Sequence, residues 1–118
     1  MYVYTPDDWA IIFLNGNEPH YRVLAGWSGG YTTGSSWRMN SGIVDIDEDE
    51  LYYYFYGSSG SCYMCNKNAY RLSTSTAHIW SALHEAHVDK IELMDEDTDW
   101  MSVDWLINIS KEYENAND

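Results

Sequence analysis

The stretch LYYYFYGSSGSCYMCN, Leu51 to Asn66, decides the fold class. Leu51 to Tyr56 is a short aromatic run of the kind that favours strands. Gly57-Ser58-Ser59-Gly60 is a turn signal, and Ser61 to Asn66 resumes an extended pattern. Strand, tight turn and strand make an antiparallel hairpin. Side chains alternate along a strand, so Leu51, Tyr53 and Phe55 share one face, and Tyr52, Tyr54 and Tyr56 the other. Only one of these sets can enter a small core. The other is a tyrosine row, either packed across neighbouring strands or offered to a partner at low entropic cost.

Toward the N-terminus the same grammar repeats. Trp9 to Leu14 is apolar and stops at Asn15-Gly16-Asn17, and Tyr21 to Trp27 reads as the next strand. Ser28 to Ser36 is rich in Gly and Ser and reads as a long loop. Trp37 to Ile46 reads as a third strand whose inward parity changes midway, which places a bulge at Ser41-Gly42. Asp47 to Glu50 then connects to the hairpin. Strands at such regular spacing suggest a meander or small barrel.

Beyond the hairpin the period changes. Ser73 to Thr76 supplies helix caps, and Ile79, Trp80, Leu83 and either Ala86 or His87 fall on one face of a helix over Ser75 to His87. Lys90 to Met94 alternates like an edge strand, and Asp95 to Asp99 is a solvated turn. Trp100 to Ile109 is read as a strand closing the core, on its Trp, Ile and Val content, although Val103, Leu106 and Ile107 also fit a short helix. The expectation is one compact domain over residues 1–110 with a frayed acidic tail at 111–118. Its class is α+β, a twisted antiparallel sheet or small SH3-like barrel packed against one helix.

Charge narrows the function classes. The 118 residues hold 19 acids against 6 bases, a net charge of −13. Aromatics make up 16%, too many for a disordered acidic chain, so this is a folded domain. Direct nucleic-acid binding is disfavoured, because phosphate contacts rest on Lys and Arg. No apolar run approaches the roughly 20 residues of a membrane span, and Met1 to Asp8 shows no basic segment of a signal peptide. With two cysteines, the expected compartment is a reducing cytoplasm.

The acids are clustered. Asp45, Asp47, Glu48, Asp49 and Glu50 stand together without a base. Asp95, Glu96, Asp97 and Asp99 form a second group in the acidic C-terminal quarter. Carboxylates gathered on an otherwise nearly neutral body would steer it toward a basic partner, and they also keep a small protein soluble.

Motifs for chemistry are weak. Cys62 and Cys65 form a C-x-x-C, with His84 and His87 downstream. Residues three apart on a strand point to opposite faces, and the spacing to the histidines departs from the finger pattern, so no metal site is assigned. A redox role would need the motif at a helix start, which is absent. The DIDEDE stretch lacks the glycine and terminal glutamate of an EF-hand. There is no G-x-S-x-G elbow, P-loop or dinucleotide fingerprint. No catalytic residue and no cofactor are assigned.

The stretches VLAGWSGGYTTGSSWRMNSGI (Val23 to Ile43) and YGSSGSCYMCNKNAY (Tyr56 to Tyr70) resemble small uncharacterised proteins encoded by bacteriophages. The resemblance lies within residues 23–70 and carries no activity. It implies a phage or prophage origin and expression in a bacterial host cytoplasm. The leading expectation is therefore a phage accessory protein that binds a basic, nucleic-acid-binding host protein through Asp45 to Glu50 and Asp95 to Asp99. A second expectation is a small-ligand module. Trp27, Tyr31 and Trp37, with Tyr52, Tyr54 and Tyr56, would stack a nucleobase or hold a cationic group, and the only arginines, Arg22, Arg38 and Arg71, would hold a nucleotide phosphate if they converge, as suits a protein that sequesters a host immune signalling nucleotide. A third is a structural role in the virion or a homo-oligomer, with the Lys90 to Met94 edge pairing with a copy of itself.

Overall fold

The computed structural model describes residues 1–30 and 34–106. Its elements are β1 (Tyr2–Tyr4), β2 (Asp8–Leu14), β3 (His20–Gly30), β4 (Gly34–Met39), β5 (Ile43–Glu48), β6 (Tyr52–Gly57), β7 (Ser61–Asn66), α1 (Thr74–Ala86) and β8 (Ile91–Leu93). A 3-10 turn follows at Trp100–Ser102. The strands form two four-stranded sheets, β1-β7-β6-β5 and β4-β3-β2-β8. All neighbours are antiparallel except β1, which runs parallel to β7. Mostly antiparallel sheet with one α-helix is thus the architecture of the described residues, whose strands do not join into one closed barrel.

The two sheets face each other. Trp9, Ile11, Val23 and Ala25 come from one, and Ile43, Phe55, Tyr63 and Cys65 from the other. Trp9 organises this layer. Its ring lies 5.4 Å from Phe55, 4.8 Å from Tyr70 and 6.0 Å from Trp100, and its indole N–H donates to the Asn66 carbonyl at 2.7 Å. Each large side chain so buried contributes roughly 1.5–3 kcal/mol. Ala10, Ile12 and Leu24 alternate with that inner set, are equally buried, and lie on the reverse face.

Helix α1 covers that reverse face. Ser73 caps it, accepting from the Thr76 backbone N–H, while the Thr76 hydroxyl accepts from the Ser73 N–H. Thr76 is buried, and Ile79, Trp80 and Leu83 are half-buried on the same side. Close approach is possible because residue 26 has no side chain. A Cβ on Gly26 would sit 2.6 Å from Ser73 Oγ.

Several expectations are corrected. Trp37 to Ile46 is two strands in different sheets, joined at a corner rather than a bulge. Asn40 makes the corner: its N–H donates to the Val23 carbonyl at 3.1 Å, and its Oδ1 accepts from the Val23 N–H at 2.9 Å. Side chain and backbone together replace the next ladder position, and the chain leaves the sheet through Gly42, at φ +139°. Within the expected loop Ser28 to Ser36, Ser28 to Gly30 and Gly34 to Ser36 are strand, with a register irregularity between Trp27 and Gly30, and residues 31–33 lie outside the described residues. Trp100 starts a 3-10 turn, and Trp100 and Trp105 close the core as buried rings without a strand there. Residues 107–109 and the tail at 111–118 lie outside the described residues. Strand β1 was not anticipated.

Candidate interaction face

Strand β5 carries much of the first acidic group, which is therefore not a loop. Register sets Asp45 opposite Tyr56 and Asp47 opposite Tyr54. Directly opposed residues share a face. Phe55 enters the core, so its neighbours Tyr54 and Tyr56 project outward, and Asp45 and Asp47 with them. On the other flank β7 sets Asn66, Met64 and Cys62 opposite Tyr52, Tyr54 and Tyr56. Carboxylates and phenols thus interleave on the outer side of one sheet. Tyr52, Tyr54 and Tyr56 are half-buried there, and the Tyr52 and Tyr54 rings stand 6.5 Å apart.

Asp49 fixes the end of this face. Its Oδ1 accepts from the N–H groups of Leu51 (2.9 Å) and Tyr52 (2.7 Å), and its Oδ2 accepts the Tyr54 hydroxyl. The Tyr54 bond first, and then the backbone bonds, hold the Asp49 carboxyl below the usual range. The same bond pushes the Tyr54 phenol up to about 12. Burial raises Tyr56, and Cys62 and the carboxylates of Asp47 and Asp45 add to it. Such an Asx-type turn between two strands is a signal the sequence offers. The exchange between Asp49 and Tyr54 is one it does not.

The other candidates are placed as follows. Glu48 lies opposite Tyr53 on the inner side and is paired with Lys67 Nζ at 2.7 Å. Glu50 is exposed in the bend. Asp95, Glu96, Asp97 and Asp99 follow β8, at the edge of the other sheet. There Asp99 accepts from the Ser102 hydroxyl at 2.7 Å, and Asp95 and Glu96 add to the burial that pushes Tyr70 up to about 12. No hydrogen bond among the described residues joins the two acidic groups.

The aromatic set also divides. Trp27 pairs with Ser36 and Trp37 with Gly26, which puts the two rings on opposite faces of their sheet. Trp27 turns inward, donating to the Thr5 carbonyl at 3.0 Å, while Trp37 is exposed on the helix side. Neither lies on the face of Tyr52, Tyr54 and Tyr56. Tyr31 lies outside the described residues. Arg38 stacks over Tyr4, 4.6 Å from the ring centre.

Cys62 and Cys65 are both buried. Cys65 faces the core and Cys62 the outer side, so the pair does not converge on one ion. Burial raises both thiols, Cys65 far above its ordinary value. His84 and His87 are exposed on and after α1.

Comparison of this chain with protein-family models, with curated proteins and with solved structures finds no match.

Proposed function

We propose that the chain is a non-enzymatic phage accessory protein that binds a basic, nucleic-acid-binding protein of its bacterial host through the Asp/Tyr face. The observation that carries this reading is the register of β5 and β6, with Asp45 opposite Tyr56 and Asp47 opposite Tyr54. Two residues along an extended strand span roughly 6.8 Å. Asp45 and Asp47 therefore form a spaced row of negative charge, and tyrosines beside them supply rigid contact area. Carboxylates in such a row would stand in for backbone phosphates before a protein built to grip nucleic acid.

The position of β5 shapes how the partner is met. Among the described residues β5 is an edge strand, and edge strands invite pairing with another chain unless charge opposes it. Its acids discourage strand addition, so docking uses the side chains of the face. A field of this kind accelerates association and weakens with salt. Asp95 to Asp99 adds charge from a separate position and is not needed for the contact itself.

The test is capture from bacterial lysate on the immobilised full chain. A basic protein retained at low salt and released at high salt supports the reading. Capture that salt does not change, or no basic protein captured, contradicts it.

A further inference from the structure

A second site lies between the two sheets, away from the acidic face. It is a cleft of about 470 Å³, lined by Arg22 and Arg38 from one sheet, by Tyr2, Tyr4 and Ser61 from the other, and by Asn40 at the corner between β4 and β5. No acidic residue lines it among the described residues, in a chain where acids outnumber bases 19 to 6. Two of the three arginines are among its lining residues. The third, Arg71, is paired with Asp8 at 2.6 Å.

Both cleft arginines are held in place without being neutralised. Arg22 Nε donates to His20 Nε2 at 2.9 Å. A guanidinium only donates, so that nitrogen of His20 accepts, and its Nδ1–H donates to the Glu18 carbonyl at 2.7 Å. The terminal nitrogens of Arg22 are uncommitted among the described residues. Arg38 rests on the Tyr4 ring, and neither arginine has a carboxylate partner among the described residues. Asn40 supplies an independent sign. It is 3% exposed, and its Nδ2 has no acceptor among the described residues. Buried donors almost always have one.

We infer that this cleft binds a small phosphate ester carrying a flat ring, that is, a nucleoside phosphate. The guanidinium forks match phosphate oxygens. The Ser61 hydroxyl offers a further donor, and Asn40 Nδ2 lies buried at the corner without an acceptor among the described residues. Tyr2 is largely exposed at the rim, and its ring lies 4.6 Å from that of Tyr4, giving aromatic surface against which a base can stack. The volume falls within the range of roughly 300–1,000 Å³ usual for small-ligand sites.

The experiment is calorimetric titration of the full chain with inorganic phosphate, adenosine, adenosine monophosphate and cytidine monophosphate. A monophosphate should saturate the protein and bind at least about tenfold more tightly than phosphate or adenosine alone. Arg22→Gln and Arg38→Gln should each weaken it about tenfold or more, with Arg38→Lys between wild type and Arg38→Gln. Arg71→Gln should bind like wild type. Thermal melts establish that each variant is folded, and Arg38, being exposed, decides the matter even if Arg22→Gln is not. No saturable binding of either nucleotide overturns the inference. So does phosphate binding as tightly as the nucleotide, or an equal loss in Arg71→Gln and Arg38→Gln.

Discussion

The hydroxyl of Tyr54 donates to the carboxylate of Asp49, tying the outer face of β6 to the turn that begins it. The bond shifts both groups apart. Asp49 is held below the usual carboxylate range and Tyr54 is pushed up to about 12. For Asp49, the folded state favours the ionised form, so its contribution is present above the ordinary carboxylate pKa. It is lost as pH falls through the lowered value. For Tyr54, the folded state favours the neutral phenol, so its contribution is present below the ordinary phenol pKa near 10. It is lost as pH rises through about 12. Tyr54→Phe should return the Asp49 carboxyl toward its ordinary value in a carbon-detected NMR titration. An unchanged Asp49 would show that the backbone bonds alone hold it.

Two more phenols extend that argument. Burial pushes Tyr63 and Tyr70 up to about 12. Ultraviolet titration should therefore show a late group of tyrosine ionisations. It should shrink by one phenol in Tyr54→Phe. Stability linked to these groups fades from about pH 10 upward, because the unfolded chain then releases protons that the native state retains.

Helix docking depends on Gly26. Gly26→Ala would place a Cβ 2.6 Å from Ser73 Oγ and 3.0 Å from a methyl of Thr76. Those two residues form the helix cap, so relief by moving them sacrifices capping. We expect a loss of about 1–3 kcal/mol in urea unfolding, as for other overpacked sites. A loss below half of that would mean that α1 shifts as a body without disturbing its cap.

The thiols make a separate prediction. Cys62 and Cys65 are buried on opposite sides of β7, and burial raises both. Thiolate is the reactive form. Neither should react readily with a disulfide reagent in the native protein at neutral pH, and both should react in denaturant. Rapid native reaction of one thiol would place it at the surface.

Local signals in the sequence were sufficient for the hairpin around Gly57 to Gly60, the turn at Asn15 to Asn17 and the helix after Ser73. Each rests on neighbouring residues alone. Strand β1 is only three residues long and acquires its state from β7, which no local pattern announces. The corner at Asn40 is similar. Its cause is the pairing of an asparagine side chain with Val23, a partner fixed only once the sheet exists. Reading Trp37 to Ile46 as one strand merged two sheets into one. It also left Asp47 and Glu48 looking like part of a connection, since acids are poor strand formers. The tyrosine row follows from alternation and was legible. That β5 would lay Asp45 and Asp47 beside it, and that Arg22 and Arg38 would line one cleft, depend on register and topology.

The most direct measurement of the central claim is association kinetics with the basic host protein captured at low salt, comparing wild type, Asp45→Asn/Asp47→Asn and Asp95→Asn/Asp97→Asn. Asparagine at 45 and 47 keeps shape and hydrogen bonding while removing charge. The account predicts that this variant associates about tenfold more slowly and with a flatter salt dependence, while the variant at 95 and 97 stays near wild type. An association rate and salt dependence unchanged by Asp45→Asn/Asp47→Asn would contradict it.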